Sequence, residues 1–400
     1  MVHGCCLKTS NHPPLEMKRI AYISSPHFAD CDIPLLSHIQ HNVDLIYILR
    51  LNNDNKQLTL CNVPCIKNKG GVFRASEYEG LEKIEKYIRQ ENLFVLNMPG
   101  KKDISPSNLL AIARLLLFLI RQKIDVIHLT WPLRYGEFML YLLHRRMILT
   151  LHDPFSHSSE DHWHNRLHRW MAFHLISRFI LLNRSQKDAF IDHYHMQKKQ
   201  IYISELSVYT HLQDTIPIHP QGAGYILFFG GINTHKGLEY LCQAMGHVHN
   251  THPEAHLVIA GKGKIYFDIE PYIQMGVVSL LNHYLSDEEL AGLIHEAAFI
   301  VCPYTDATQS GVVMSAFALA KPVIATAVGG LPEMVIDNRY GLIVPPRNAE
   351  GLASAITKLL ESPSTLKQMS SCIQEDYHSG KHSWETISQD IIRIYNQEFS

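Results

Sequence analysis

The feature that most constrains the fold of this chain is an alternation of short apolar runs with amphipathic helical patterns, which occurs twice. In the first half, apolar runs such as 19–24, 126–129 and 147–151 alternate with helical segments such as 106–121 and 137–146. After residue 224 the alternation restarts with the buried run 225–229, and 257–260 is the next predicted strand. This order favours parallel sheets with helices on both faces. The sequence therefore predicts an α/β protein with two doubly wound domains.

A stretch without periodicity separates the two halves. Residues 211–224 contain two prolines and two glycines, which predicts an interdomain linker. The chain has 400 residues, 46% of them hydrophobic, enough for two cores. We therefore expect a polar leader (1–17), a first domain (18–210), the linker (211–224), a second domain (225–375) and a C-terminal helical segment (376–400).

Composition excludes several classes of protein. Lys and Arg (36) nearly balance Asp and Glu (38), so the chain has no net attraction to nucleic acid or to an anionic membrane. The eight cysteines lack the spacing of a zinc site, which favours a reducing compartment. The leader has no apolar core, and the run 109–120 is too short to span a bilayer. We expect a cytoplasmic protein with no nucleic-acid partner, whose membrane contact, if any, is peripheral at the inner face.

The strongest motif follows the first strand of the second half. Residues 230–237 read Gly-Gly-Ile-Asn-Thr-His-Lys-Gly and lie between a buried run and an amphipathic helical pattern. A glycine turn lets an anion approach the backbone, and the start of the next helix adds a partial positive charge. Lys236 is placed to meet a diphosphate. The alternative is an ordinary strand-to-helix turn with a solvated lysine.

Two further loops follow strands in the same half. Residues 303–311 read Pro-Tyr-Thr-Asp-Ala-Thr-Gln-Ser-Gly and run into a helix, so hydroxyl, amide and backbone donors gather at its start. Simple N-capping would explain Thr308 or Ser310 equally well. Residues 329–333 read Gly-Gly-Leu-Pro-Glu. Because these loops follow parallel strands, we expect them to converge on one crevice.

Together these motifs resemble the donor domain of glycosyltransferase family 4, the retaining enzymes of the GT-B fold. The matching stretches are Phe-Phe-Gly-Gly-Ile (228–232) with His-Lys-Gly-Leu-Glu (235–239), Leu-Val-Ile-Ala-Gly-Lys-Gly (257–263), Asn-His-Tyr-Leu-Ser-Asp-Glu-Glu-Leu (282–290), the 303–312 loop, Lys-Pro-Val-Ile-Ala-Thr (321–326), Gly-Gly-Leu-Pro-Glu (329–333) and Tyr-Gly-Leu-Ile-Val-Pro-Pro (340–346). Their order and spacing are specific as a set.

The first half resembles the family more loosely. Val-Ile-His128 and Thr-Leu-His152-Asp153 end predicted strands, where the acceptor side of the cleft is expected. Ser383-Trp384 resembles the start of a tail that crosses back to the first domain. These matches extend the resemblance over most of the chain.

The resemblance implies two Rossmann-like domains facing across a cleft, a nucleotide-sugar donor, a saccharide or lipid-linked acceptor, and no cofactor or obligatory metal. We predict catalytic roles for His152, Lys236 and Asp306, and acceptor-side positions for Asp153 and His128. The predicted donor-binding residues are Gly230, Gly231, Gly237, Gly261, Thr308, Gln309, Ser310, Gly311, Ser315, Gly329, Gly330 and Glu333.

The chain departs from the family pattern at two important places. The resemblance implies a pair of basic residues that grip the donor diphosphate. Gly231 stands where the family usually has the arginine of this pair, so Lys236 is its remaining cation. The resemblance also implies two glutamates that contact the nucleotide ribose and the sugar. Ser315 stands at the place of the second glutamate, and Asp306 lies one residue from the place of the first. A lysine lacks the two-pronged hydrogen bonding of an arginine, so the grip on a diphosphate is weakened.

Three functions are weighed. The leading one is a hexosyltransferase that uses a UDP- or GDP-sugar to build a capsule, lipopolysaccharide or exopolysaccharide. The second is a catalytically degenerate GT-B protein that binds a glycan or partner, which Gly231 and Ser315 motivate. The third, a nicotinamide oxidoreductase, lacks Gly-x-Gly-x-x-Gly after a strand. For His162, His164 and His168 we expect a solvated helix face rather than a metal site.

Overall fold

Two parallel sheets organise the molecule, and the computed structural model describes residues 17–58, 60–155, 163–218 and 224–399. The first sheet has eight strands. All neighbours in it are parallel except Gly71–Arg74, which runs antiparallel to its neighbour at one edge. In spatial order the strands are Gln200–Ile203, Arg178–Leu181, Met147–Leu151, Val126–Leu129, Arg19–Ser24, Asp44–Leu51, Leu93–Asn97 and Gly71–Arg74.

The second sheet has six strands, all parallel. It is built from residues of the second half alone. In spatial order the strands are Val278–Leu281, Leu257–Ala260, Ile226–Phe229, Phe299–Cys302, Val323–Thr326 and Gly341–Val344. The α/β class with two doubly wound sheets is therefore confirmed.

Helices cover both sheets and bury apolar faces against them. Gly237 precedes helix Leu238–His249, whose inward positions include Leu238, Leu241 and Met245. Ser286 caps helix Asp287–Glu296 by accepting the backbone N–H of Glu289. The α-helices are Ala29–Ile39, Glu82–Glu85, Pro106–Arg121, Trp163–Leu175, Lys187–Tyr194, Leu238–His249, Glu270–Gln274, Asp287–Glu296, Gly311–Ala318, Leu331–Met334, Ala349–Leu360, Pro363–Ile373 and Trp384–Glu398.

Each sheet has a switch point, the place beside its first strand where the strand order reverses. The first switch point lies between Arg19–Ser24 and Val126–Leu129. The second lies between Ile226–Phe229 and Phe299–Cys302. Chain connections leave the two strands in opposite directions, which opens a crevice at their carboxyl ends.

The C-terminal helix Trp384–Glu398 packs on the first sheet's side of the molecule. Its apolar residues join the core formed by the first sheet and helix Ala29–Ile39. The Trp384 indole N–H donates to the carbonyl of Val208 at 2.7 Å. The Arg178 guanidinium contacts the Glu398 carboxylate at 2.8 Å. The chain thus returns to its first half at its end.

Several predicted segments differ from the structure. The predicted α-helix at 137–146 is a 3-10 helix, Tyr135–Arg146, with a kink at Leu143. Within the predicted linker, His211 and Leu212 are buried, and the Ile218 N–H donates to the carbonyl of Glu288. Residues 1–16 of the predicted leader and 219–223 of the linker lie outside the described residues.

The histidine-rich helix Trp163–Leu175 also departs from expectation. His168 is only 7% exposed, and its ring packs edge-on against Tyr135 with centroids 4.5 Å apart. The prediction of a solvated face is therefore wrong for His168, because aromatic side chains of the 3-10 helix cover it. His162 lies outside the described residues. No helix in the described part of the chain is long and apolar enough to cross a membrane.

Candidate functional site

Loops that follow neighbouring strands meet at the second switch point. The Gly230 N–H donates to the carbonyl of Ala260 at 3.0 Å. The Thr305 N–H donates to the carbonyl of His235 at 2.8 Å, which ties the 230–237 loop to the 303–311 loop. A fourth loop joins them because the Gly330 N–H donates to the carbonyl of Thr308 at 3.1 Å. The expected convergence of these loops is therefore present.

Two glycines are required for this close contact of backbones. Gly237 has φ +65°, and a Cβ added there would lie 2.0 Å from the carbonyl oxygen of Pro303. Gly261 has φ +142°, and its Cβ would lie 2.0 Å from the carbonyl oxygen of Gly230. L-residues rarely adopt these angles. At both positions glycine allows two backbone segments to pack in direct contact, and a side chain there would push the loops apart.

Lys236 lies at the centre of this arrangement. Its ammonium is 3.6 Å from the centroid of the buried Tyr304 ring, a cation–π contact. Burial lowers the pKa of Lys236 from its ordinary value. The Tyr304 hydroxyl is 3.4 Å from Oγ of Ser310, the residue that precedes helix Gly311–Ala318. The lysine and the residue at the start of that helix therefore contact the same tyrosine side chain.

Three other predicted site residues, Asp306, Ser315 and Gly311, lie in the 303–311 loop or in the helix that follows it. Asp306 is exposed in the 303–311 loop. Ser315 is 5% exposed, and its hydroxyl donates to the carbonyl of Gly311 at 2.9 Å. A Cβ on Gly311 would lie 2.8 Å from the Tyr209 hydroxyl. A larger residue at Gly311 would therefore displace Tyr209, so a substitution there cannot test ligand access alone.

The open position in this region is Gly231. It is exposed, and an added Cβ would meet nothing within 4 Å. Gly230 beside it is more confined, since its Cβ would lie 3.3 Å from the side chain of Val312. Gly329 and Gly330 lie against the backbone of the 303–311 loop.

Part of the predicted donor loop contacts the first domain. The Thr308 hydroxyl donates to the carboxylate of Asp153. The Gln309 side-chain amide donates to the carbonyl of Leu182 at 2.8 Å. Thr308 and Gln309 thus bind the carboxyl ends of first-sheet strands, and the acceptor-side role of Asp153 stays a prediction.

Glu333 makes a further contact between the domains. Its two carboxylate oxygens accept the backbone N–H groups of Arg184 at 2.9 Å and Ser185 at 2.6 Å. Charge-assisted bonds of this kind are stronger than neutral ones. In this arrangement Glu333 joins the two domains, whereas donor binding by this carboxylate stays a prediction.

His152 lies on the first-domain side of the cleft. Its ring stacks on Phe28 with centroids 4.3 Å apart. Within the described residues its Nε2 has no hydrogen-bond partner. Burial lowers the pKa of His152 to about 4, with Asp153 opposing the shift. The ring is therefore neutral near pH 7, and it can hydrogen-bond a ligand without adding charge.

His128 does not have the predicted acceptor-side position. It is fully buried within strand Val126–Leu129 of the first sheet. Nδ1 is 2.5 Å from the Tyr395 hydroxyl and Nε2 is 2.7 Å from Oγ1 of Thr150. Burial lowers its pKa to about 3. Both ring nitrogens are used, so His128 couples the C-terminal helix to the sheet rather than contacting a ligand.

Cys31, Asp32 and His152 bring potential metal-ligating atoms within 4.8 Å of one another. The Asp32 carboxylate accepts hydrogen bonds from the hydroxyls of Tyr22 and Ser24. Burial raises the pKa of Asp32 to about 7, and the Cys31 thiol donates to the carbonyl of Phe28 at 3.1 Å. These groups are engaged in a hydrogen-bonded cluster, so the geometry supports packing beside His152 better than a metal centre.

Residues around two cavities in the first domain were missed by sequence reasoning. The cavities measure about 950 Å³ and about 690 Å³. Arg50 and Arg134 line both. These side chains come from segments far apart in the sequence and form no local motif. No single segment that lines the cavities is basic enough to indicate a binding site by itself.

Family models match both halves of the chain. Residues 72–205 match the model described as Glycosyltransferase Family 4, and residues 223–362 match the one described as Glycosyl transferases group 1. The chain belongs to the family 4 glycosyltransferases. This assignment agrees with the resemblance read from the motifs of the second half.

Curated relatives of this glycosyltransferase are similar over a limited region. An uncharacterized glycosyltransferase of Methanocaldococcus jannaschii is 29% identical over 174 residues, 43% of this chain and 47% of the relative. Glycogen synthase of Mycobacterium tuberculosis is 26% identical over 178 residues, 44% of this chain and 42% of that enzyme. The match thus spans less than half the length of these relatives.

Solved structures share the whole fold of this glycosyltransferase. Sucrose-phosphate synthase from Thermosynechococcus elongatus superposes with a TM-score of 0.65 at 18% identity, covering 96% of this chain and 99% of that one. HepE of Anabaena, in complex with UDP and glucose, superposes with a TM-score of 0.64 at 16% identity, covering 95% and 100%. The expected GT-B fold is confirmed.

Proposed function

We propose that this chain is a retaining hexosyltransferase. It moves a hexose from a UDP- or GDP-sugar to a hydroxyl of a growing glycan or lipid-linked saccharide of the capsule, lipopolysaccharide or exopolysaccharide type. The observation that carries the proposal is that Lys236 contacts the Tyr304 ring and Ser310, at the start of helix Gly311–Ala318, contacts its hydroxyl. The UDP and glucose bound by Anabaena HepE support a uridine diphosphate donor.

The donor diphosphate would lie at the second switch point. There the Lys236 ammonium and the N-terminal N–H groups of helix Gly311–Ala318 supply positive charge. As the bond between the anomeric carbon and the phosphate oxygen breaks, negative charge grows on the leaving group. Preformed donors at that place stabilise the transition state more than the ground state.

The acceptor would react on the same face of the sugar. Its hydroxyl oxygen bonds to the anomeric carbon while the bond to the phosphate oxygen breaks, and the hydroxyl proton passes to the departing phosphate. This course retains the anomeric configuration without a protein base. His152, neutral near pH 7 and with an unpartnered Nε2 within the described residues, would hydrogen-bond the transferred sugar or the acceptor.

In this proposal no cofactor takes part and no metal is obligatory, since Lys236 and backbone N–H groups compensate the phosphate charge. The partners are the nucleotide sugar and a saccharide or lipid-linked acceptor. A cytoplasmic location, with peripheral contact at the inner membrane face, would give access to both.

Nucleotide binding tests the proposal directly. Titration calorimetry of the full chain with UDP, GDP, ADP and CMP should show one uridine or guanosine diphosphate bound more tightly than the others. The matching nucleotide sugar should then be hydrolysed or transferred, with retained configuration by NMR. Failure of every nucleotide to bind would contradict the transferase function.

The second candidate is a degenerate GT-B protein that binds a glycan or partner without turnover. Gly231 and the buried Ser315 favour it, because neither can contribute charge to a donor. A parent protein that binds a glycan but neither binds nor cleaves any nucleotide sugar would support this candidate. Measured sugar transfer would exclude it.

A further inference from the structure

The first switch point carries the two cavities that sequence reasoning missed. Ser25 and His27 follow its first strand, Arg19–Ser24, and Trp131 and Arg134 follow Val126–Leu129. The second cavity shares Arg50, Asn52, Asp54 and Arg134 with the first. The two therefore form one polar region, called here the first-domain cavity, at the carboxyl edge where doubly wound sheets bind ligands.

The first-domain cavity is cationic in a chain whose formal net charge is −2. Its carboxylates are Asp54 and Asp103 on the walls and Glu137, which is paired with Arg50. The cationic side chains outnumber them and are Arg50, Lys101, Lys102, Arg134 and Arg169. A concave region lined mainly by one sign of charge concentrates ligands of the opposite sign.

The histidines of the cavity respond to this charge. Partial burial lowers the pKa of His27, and the nearby Arg134 and Arg50 lower it further. The pKa of His168 is lowered by burial first and by Arg134 next. Burial is the main cause of both shifts, and Asp103 and Glu137 oppose the effect of Arg134 on the pKa of His168.

A buried ion pair holds the floor of the cavity. Nε of Arg50 is 2.6 Å from Oε1 of Glu137, and both side chains are at most 5% exposed. The other oxygen of Glu137 accepts the backbone N–H of Arg134 at 2.9 Å. Glu137 thus neutralises Arg50 and fixes the segment that carries Arg134, while the Arg134 side chain stays exposed.

Three polar side-chain atoms around the cavity have no hydrogen-bond partner within the described residues. They are Nε1 of Trp131, the hydroxyl of Tyr135 and Nε2 of His168, and all three atoms are buried. A buried donor without a partner costs about 1–3 kcal/mol. Water does not reach these three atoms in this structure, so a polar ligand would bond them only after their side chains turn toward the cavity.

The cavity adjoins the reaction cleft. The Phe28 ring lies between Trp131, with stacked centroids 6.4 Å apart, and His152 at 4.3 Å. The Arg169 guanidinium donates to the carbonyl of Asp153 at 3.0 and 3.1 Å. Asp153 in turn accepts from Thr308 of the donor loop. A ligand in the cavity would therefore lie beside the donor.

We propose that the first-domain cavity binds an acceptor that carries a phosphate monoester, with the phosphate near Arg134 and Arg169 and a free hydroxyl directed toward His152. The inference rests on the proposed transferase function for the acceptor role, but the binding site stands on its own geometry. A phosphate monoester carries about −1.5 to −2 charges at pH 7 and matches arginine forks.

Binding of matched neutral and phosphorylated probes tests the inference. Calorimetry of the full chain should show that glucose 6-phosphate, glycerol 3-phosphate or inositol 1-phosphate binds at least tenfold more tightly than its neutral parent. In Arg134→Gln with Arg169→Gln, the best phosphorylated probe should lose at least tenfold in affinity. Arg121→Gln, which changes an exposed arginine at the end of helix Pro106–Arg121, should bind it as the parent does.

Tyr135→Phe separates ligand binding from folding. It removes a hydroxyl without a protein partner in the described structure, so the free energy of unfolding should stay the same or rise. If that hydroxyl contacts the ligand, affinity for the best probe should fall about threefold to tenfold. Unchanged affinity in both Tyr135→Phe and the double arginine variant would overturn the inference, as would equal binding of phosphorylated and neutral probes.

The two proposals fail in different ways. If UDP or GDP binds but no phosphorylated probe is preferred, the inference on the acceptor is wrong and the transferase function stands. If a phosphorylated probe binds through Arg134 and Arg169 while no nucleotide binds, the cavity is confirmed as a phosphate-monoester site and the transferase function is wrong.

Discussion

The two switch points are built in different ways at equivalent places of their sheets. The second is built mainly from backbone groups, namely closely packed glycine loops and the start of a helix, together with a lysine over Tyr304. The first presents side chains: arginines, lysines and unpartnered aromatic donors around open cavities. In the proposed function these are the donor and acceptor sides.

This difference explains why the candidate site of the second half forms a recognisable sequence motif, whereas that of the first half does not. A backbone site needs glycines at fixed intervals, because only they permit the close approach, and such intervals form a motif. A side-chain site needs only that suitable residues lie at the ends of several strands, and the segments between them are of variable length. The motif is therefore visible on one side and absent on the other.

The largest effect should come from adding a methyl group to the backbone site. In Gly261→Ala, the new Cβ would lie 2.0 Å from the Gly230 carbonyl oxygen at φ +142°. We expect unfolding free energy to fall by about 3 kcal/mol, measured by denaturant titration. Gly231→Ala, where a Cβ meets nothing within 4 Å, should change it by less than about 0.5 kcal/mol. Equal effects at both positions would contradict the backbone contact.

On the other side, His128 should make stability depend on pH. Its pKa is about 3 folded against 6.5 as its ordinary value, so the unfolded chain takes up a proton that the folded chain excludes. Its contribution to stability is present above pH 6.5 and is lost as pH falls toward 3. Relative to His128→Asn, the parent should lose about 2 kcal/mol between pH 6 and pH 4.

Parallel denaturant titrations at each pH would measure this difference, since the other titrating groups are common to both proteins. A difference that stays constant between pH 6 and pH 4 would show that His128 is protonated in the folded state. The hydrogen bonds to Tyr395 and Thr150 would then need another arrangement.

Much of the fold followed from periodicity alone. Strands such as Arg19–Ser24 and Leu257–Ala260 were predicted with their observed bounds, because buried runs flanked by turns leave little freedom. The edge strand Gly71–Arg74 was missed, since it is short, half-buried and pairs antiparallel with a strand distant in sequence. Its identity depends on that partner, which no local pattern encodes.

The site was predictable in part for similar reasons. Lys236 and the glycines could be proposed from sequence because their motif is local, and their role in donor binding stays a prediction. His128 was misplaced: a histidine at a strand end can point into the cleft or into the core, and here Tyr395, 267 positions later, decides for the core. Glu333 was predicted as a donor contact, but its partners in the structure are backbone groups of the first domain.

A smaller effect is expected from the lysine of the backbone site. Lys236→Ala should weaken binding of the preferred nucleotide sugar at least tenfold, about 1.4 kcal/mol, because it removes the cation over Tyr304. Calorimetry would measure the affinity and circular dichroism the fold. Lys367→Ala, at an exposed position of helix Pro363–Ile373, should bind as the parent does. Unchanged affinity in Lys236→Ala would refute the role of this lysine.

The smallest effect should come from adding a charged side chain to the backbone site. Gly231 is exposed, and its Cβ direction is open. In Gly231→Arg the guanidinium would restore the cation that the family pattern has there and could bond the diphosphate at two points. We expect affinity for the preferred nucleotide to be unchanged or up to about tenfold tighter.

Gly231→Gln is the matched control for this change, because it adds a side chain of similar length without charge. If the gain is electrostatic, it should be absent in Gly231→Gln and should shrink in Gly231→Arg as salt is raised, since exposed charges are screened. A loss of affinity in both variants would mean that the ligand approaches the backbone at Gly231 itself. Glycine would then be a requirement of this donor site, and the missing arginine an adaptation to closer contact with the backbone.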